Sequence, residues 1–161
     1  MNDIELGHLR RCVELATEAL DAGDEPFGSV LAAADGTFLA EDRNRIAGGD
    51  NTRHPPEFEL ARWAAQYLTP EERSTATVFT SGEHCAMCSA AHAWVGLGRI
   101  VYICSSAQLG DWLAEWGVSP PAPVKSLSVN EVAPNVPVEG PVPELVPLVR
   151  ELHRKLHSQS A

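Results

Sequence analysis

Four side chains in two short stretches have the types and spacing to do chemistry together. Ser81-Gly82-Glu83-His84-Cys85-Ala86-Met87-Cys88 carries two thiols separated by two residues, and His54-Pro55-Pro56-Glu57 lies some thirty residues upstream. Cys85 and Cys88 at that spacing can chelate one metal ion, with His54 as a third ligand. Three protein ligands leave one position for water, whose pKa falls to about 7 on zinc; a structural site closes with four. Glu57 is then placed to move the proton of that water.

Alone, a Cys-x-x-Cys pair is a weak signal, shared with redox dithiols and with half of a zinc ribbon. No second pair follows, which argues against a ribbon. A thioredoxin-like dithiol opens the first helix after a strand near the amino terminus and needs no upstream His and Glu. Cys12 and Cys104 sit singly in apolar segments and read as small buried hydrophobes.

The elements that must position these groups follow from periodicity. Asn2 or Asp3 caps a helix with Leu6, Leu9, Val13, Ala16 and Leu20 on one face and Gly23 past its end. Ser29 to Ala33 and Thr37 to Ala40 around Asp35-Gly36 read as a hairpin. A Gly-rich loop through Gly48, Gly49 and Asp50 leads to His54, and the proline pair starts a helix over Glu57 to Ala65. Ala76 to Thr80 and Arg99 to Cys104 read as strands, with a helix from Cys85 to Leu97 between them whose amino terminus favours thiolate. Ala107 to Trp116 returns to helix. Strands separated by helices suggest parallel pairing in a sheet covered on both faces. Beyond Gly117 the prolines at 120, 121, 123, 134 and 137 imply irregular, extended chain as far as Gly140, before a helical pattern from Glu144 to His157. We therefore divide the chain into a core, residues 1–117, and a Pro-rich arm with a terminal helix, residues 118–161.

With 161 residues the chain is one domain with room for a real core. The net charge of -10 repels phosphate backbones, which disfavours nucleic acid and anionic membrane and favours a small uncharged substrate. An acidic amino terminus without an apolar run, and no stretch of eighteen apolar residues, lead us to expect a cytoplasmic protein with reduced thiols.

These residues resemble a known family. The zinc-dependent cytidine/deoxycytidylate deaminase-like proteins carry His-x-Glu upstream and Pro-Cys-x-x-Cys downstream, similar to His54, Glu57, Cys85 and Cys88 here. The likeness extends to Pro26-Phe27-Gly28, Asn44, Thr52-Arg53 and Thr80 to Glu83, covers roughly Leu6 to Trp116, and is greatest for the bacterial guanine and cytosine deaminase branch. Two departures stand out. Two prolines, where the family has one residue, separate His54 from Glu57; the spacing from Glu57 to Ala61-Arg62 resembles that of the family's helix, so we place Glu57 in the catalytic position, treat one proline as an insertion and keep Glu59 as the rival. His84 stands where the family has proline and offers a second imidazole beside the thiols.

The resemblance implies a three-layer α/β/α sandwich around a five-stranded mixed sheet, usually a homodimer, with zinc held by His54, Cys85 and Cys88 and Glu57 shuttling protons. It implies hydrolytic deamination of a free aminated heterocycle such as guanine, cytosine or an aminotriazine. Asn44 would read the ring's polar edge, Phe27 would form a flat wall, and Trp94 or Trp112 a second one. Two other readings stay open: deamination of a nucleoside or of adenosine in tRNA, which needs a basic rim that a chain with only Lys125 and Lys155 is short of, and a non-catalytic zinc protein with a decayed site.

Overall fold

A computed structural model describes residues 1–47, 54–118 and 122–159. The Gly48-Gly49-Asp50 loop, Thr52-Arg53, Pro120, Pro121 and the last two residues lie outside them. In chain order the elements are α1 (Asp3–Asp21), β1 (Gly28–Ala32), β2 (Phe38–Arg43), α2 (Pro56–Tyr67), α3 (Pro70–Thr75), β3 (Thr77–Gly82), α4 (Ala86–Trp94), β4 (Ile100–Cys104), α5 (Ser106–Glu115), α6 (Val129–Val132), β5 (Val138–Glu139) and α7 (Val146–Gln159). The strands form one mixed sheet in the order β2-β1-β3-β4-β5, with β1 antiparallel to both neighbours and β3, β4 and β5 parallel. This is the five-stranded mixed sheet that the resemblance implies.

Alternation along the strands sends side chains into two cores. Val30, Ala32, Phe79, Val101 and Ile103 meet Leu9, Cys12 and Leu15 of α1, Trp112 of α5 and Val149 of α7. Leu31 and Val78 point the other way, onto Leu60, Ala61 and Ala64 of α2. The proline-rich segment is not wholly extended: it contains the one-turn α6, and Val138 and Glu139 pair with Ile100 and Val101 as an edge strand. At four and two residues, α6 and β5 are too short to show in the periodicity.

The helix expected from Cys85 to Leu97 stops at Trp94. Gly96 takes φ +78°, the Leu97 N–H reaches back to the His92 carbonyl at 3.1 Å, and the Gly96 N–H to that of Ala93 at 3.1 Å. Those two bonds satisfy the last carbonyls and turn the chain toward β4.

Strand directions gather four loops at one end of the sheet. The carboxyl ends of β3 and β4 lie side by side, Gly82 against Cys104, and the antiparallel β1 begins there while β2 finishes there, Gly28 against Arg43. Gly28 sets how close α1 lies to this end: a Cβ on it would stand 2.5 Å from Leu15 Cβ, 2.6 Å from the Cys12 carbonyl and 2.8 Å from Ala16 N. Helix backbone cannot yield to such overlap, so Gly28→Ala costs about 3 kcal/mol of stability, measured by urea unfolding.

Candidate active site

Pro55 is the residue before the first turn of α2 and Pro56 the first within it, where a missing N–H costs nothing. Glu57 follows in the first turn and points inward, 6% exposed. Its Oε1 accepts a hydrogen bond from Thr80 Oγ1 at 2.9 Å, and Ser29 Oγ in turn donates to Thr80 Oγ1 at 2.8 Å and stands 3.3 Å from the carboxylate. Thr80 and Ser29 are cross-strand neighbours on the face that α2 covers. Burial raises the Glu57 pKa to about 7; the Thr80 and Ser29 hydroxyls oppose the rise and the Cys85 sulfur adds to it. The Thr80 hydroxyl also lies 3.0 Å from the Gly82 carbonyl, so it can turn there when Glu57 carries the proton. Thr80→Val removes a donor to the carboxylate and pushes the Glu57 pKa further up. We expect the acidic limb of the pH–rate profile to rise by about one unit.

The thiols occupy the start of α4. Cys85 caps the helix with its sulfur, 3.5 Å from the Cys88 N–H, and Cys88 is fully buried in the first turn. A hydrogen bond between the thiols, helped by backbone N–H groups at the helix start, lowers the Cys85 pKa to about 6. The same bond, then burial and the nearby Glu57 carboxylate, push the Cys88 thiol pKa up. Glu57, Cys85 and Cys88 are thus within electrostatic reach of one another.

His54 is not with them. Its ring stacks on Phe58 at 4.3 Å between centroids and its Nδ1 lies 3.5 Å from Glu59 Oε1, which also accepts from the His54 backbone N–H at 3.0 Å. Glu59 therefore faces the opposite way from Glu57. Among the described residues no three His, Cys, Asp or Glu side chains stand close enough to hold one ion. Two sulfurs at a helix amino terminus beside a buried acid suit zinc in donor type; the imidazole is the component out of place. His84 is buried away from solvent, edge-on to His92 at 5.4 Å, and neither of its ring nitrogens has a partner among the described residues. Burial, and secondarily His92, keeps it neutral.

Phe27 and Asn44 border the same end of the sheet. The Phe27 ring lies over Gly82, where a Cβ would come within 3.0 Å of it, and meets the buried His153 of α7 edge-on at 5.1 Å. Asn44 is buried, donates its backbone N–H to the Phe27 carbonyl at 3.0 Å, and accepts the Ile46 N–H on Oδ1 at 3.0 Å. The two tryptophans lie elsewhere: Trp112 packs in the α1-side core beside Trp116, and Trp94 stands 89% exposed on α4.

Three polar residues had been given no role in the site from the sequence. Thr80 and Ser29 serve Glu57, and their parity with Val78 and Leu31 along the strands was the available signal. Glu83 accepts from the Ser106 N–H and the Val129 N–H, both at 2.9 Å, and so ties the thiol loop to the first residues of α5 and α6. Nothing in its immediate sequence marks those partners.

No family model matches the chain. It is similar to the probable cytosine deaminase of Schizosaccharomyces pombe, 28% identical over 142 residues that cover 88% of this chain and 86% of the relative. It is also similar to the guanine deaminase of Bacillus subtilis, 32% identical over 95 residues, 58% of this chain and 60% of the relative. The fold matches that of a solved guanine deaminase from Nitrosomonas europaea with a TM-score of 0.69, at 20% identity, over 94% of this chain and 83% of that one. The chain thus has the cytidine deaminase-like α/β fold, and its relatives in sequence are nucleobase deaminases. Glu57, Cys85 and Cys88 meet at one end of that sheet.

Proposed function

We propose that this deaminase hydrolyses a free aminated nucleobase or related heterocycle of the guanine, cytosine or aminotriazine type. The observation that carries the proposal is Glu57, a buried carboxyl with its pKa raised to about 7 beside the thiol pair, in a chain whose relatives are cytosine and guanine deaminases. Near neutral pH about half of such a group is ionised, so it can both take and return a proton without a large energetic step.

Water adds to the amine-bearing ring carbon, the bond from that carbon to the amine nitrogen breaks, and ammonia leaves a carbonyl behind. Glu57 takes a proton from the attacking water and passes it to the ring nitrogen; it then carries the second water proton to the departing amine. Thr80 holds the carboxylate for the first transfer and is free to turn to the Gly82 carbonyl after it. Asn44 spends its Oδ1 on Ile46, so it offers the substrate its amide N–H pair, suited to a carbonyl or a bare ring nitrogen. Phe27 forms one flat wall.

Cys85 and Cys88, with His54 as the third donor, would hold zinc. A bound zinc ion supplies the Lewis acidity that makes water a nucleophile at neutral pH. The arrangement requires reduced thiols, and we place the protein in the cytoplasm; no helix among the described residues is long and apolar enough to cross a membrane. As a homodimer, the chain would cover Trp94 and Met87, which are exposed together on α4.

The test is ammonia release by the metal-replete chain from guanine, cytosine, an aminotriazine, their nucleosides and tRNA. Release from at least one free heterocycle is the expected result. Release confined to nucleosides or to tRNA, or none from any of them, overturns the proposal.

A further inference from the structure

The two prolines do more than lengthen the lead-in to α2. Pro56 is the first residue of that helix and Pro55 its cap, so Glu57 is the second helical residue and His54 lies one place outside the cap. With a single residue between them, the imidazole would stand at the cap itself, next to the inward-facing carboxylate. One extra residue moves it out by one position, and a residue preceding proline is confined to extended backbone, which limits how far His54 can turn back. At the outer position it meets the fourth residue of the helix, Glu59, the contact that stapled helix starts use. Glu59 Oε1 accepts the His54 backbone N–H and stands 3.5 Å from Nδ1, which makes no hydrogen bond among the described residues; Phe58 supports the ring's face, and Arg62 Nη1 stands 3.5 Å from the same Glu59 oxygen.

We infer that Glu59 is a positioning residue that latches His54 away from Cys85 and Cys88, so that the chain captures its metal by first breaking the His54–Glu59 contact. The inference rests on the metal site proposed above and concerns how readily that site fills. In the metal-free chain the imidazole is shared between two positions, and the apparent affinity for the ion is reduced by the fraction that stays latched. Glu57 and Glu59 then have opposite duties from the same first turn of one helix: the first faces the reaction, the second restrains a ligand.

The experiment titrates the metal-free full-length chain with Co2+, reading the thiolate-to-cobalt absorption band and the ligand-field bands, with affinity set by competition against a chromophoric chelator. Circular dichroism confirms that each variant is folded. Glu59→Ala and deletion of Pro55 should each tighten Co2+ binding by about three- to tenfold. Adding His54→Ala to either should abolish the gain and change the ligand-field bands. Glu59→Gln, which keeps an acceptor for the backbone N–H, should lie between wild type and Glu59→Ala. Unchanged or weaker binding in both Glu59→Ala and the Pro55 deletion overturns the latch while leaving the metal site standing. Bands lost in His84→Ala but not in His54→Ala overturn it too, by giving the ligand role to the other imidazole. If no variant shows a thiolate band, the metal reading itself fails, and the latch with it.

Discussion

Glu57→Gln lowers turnover by about 10²–10⁴-fold and leaves the fold intact. The amide keeps the size of the carboxyl and an acceptor for Thr80, so the buried hydrogen bond survives, but it can neither take the proton of water nor return one. Metal content should be unchanged, which separates loss of the proton shuttle from loss of the site. Glu59→Gln removes no group from the interior and should retain turnover; if the two variants exchange phenotypes, the shuttle is Glu59. Stability gives an independent check in the metal-free chain. Glu57 goes from an ordinary 4.5 unfolded to about 7 folded, so between those values the native state binds more protons than the unfolded one. Its contribution is fully present below pH 4.5 and is lost as pH rises through about 7, about 3 kcal/mol in all at roughly 1.4 kcal/mol per unit. Urea midpoints of wild type should therefore fall across that window relative to those of Glu57→Gln. Parallel curves would show that the carboxyl is solvated.

Cys88→Ser should abolish both zinc retention and ammonia release. Cys88 is the fully buried partner of the pair, and a serine hydroxyl at that place is a poor ligand for a borderline-soft ion. We expect about one zinc per chain in wild type and a trace in the variant, measured by elemental analysis after dialysis. The fold should survive, because Cys88 lies in the first turn of α4 and contributes a small side chain to a helix anchored on its other residues, Ser89 and His92 among them. Removal of metal from wild type with a chelator should give the same loss, restored by added Zn2+. Turnover that persists after either treatment would refute zinc-dependent hydrolysis and leave Glu57 acting on unassisted water.

Much of this was legible before any coordinates. A cap and a period-3.6 face located α1, a proline pair located the start of α2, β-branched runs located β3 and β4, and a pair of cysteines two apart before an apolar helix marked the thiols. Local chemistry fixes such features: a proline at a helix start or a thiol on the first turn needs nothing distant. The two-residue β5 and four-residue α6 escaped because each is held by a partner far along the chain, Ile100 for one and Glu83 for the other.

The site divides in the same way. Residue types and spacing by themselves determined that a metal-capable thiol pair and an acid-bearing helix start belong to one chain with a deaminase-like pattern. Which of Glu57 and Glu59 turns inward was a tertiary decision, because residues two apart on a helix face nearly opposite directions and only the sheet beneath says which direction is inside. The same holds for the hydroxyls of Ser29 and Thr80, brought to Glu57 across 28 and 23 residues by strand pairing, and for His54, which the coordinates place against Glu59 instead of the sulfurs. Spacing along a chain names the candidates for a site; whether they converge depends on where each backbone segment enters, and one extra proline is enough to change that.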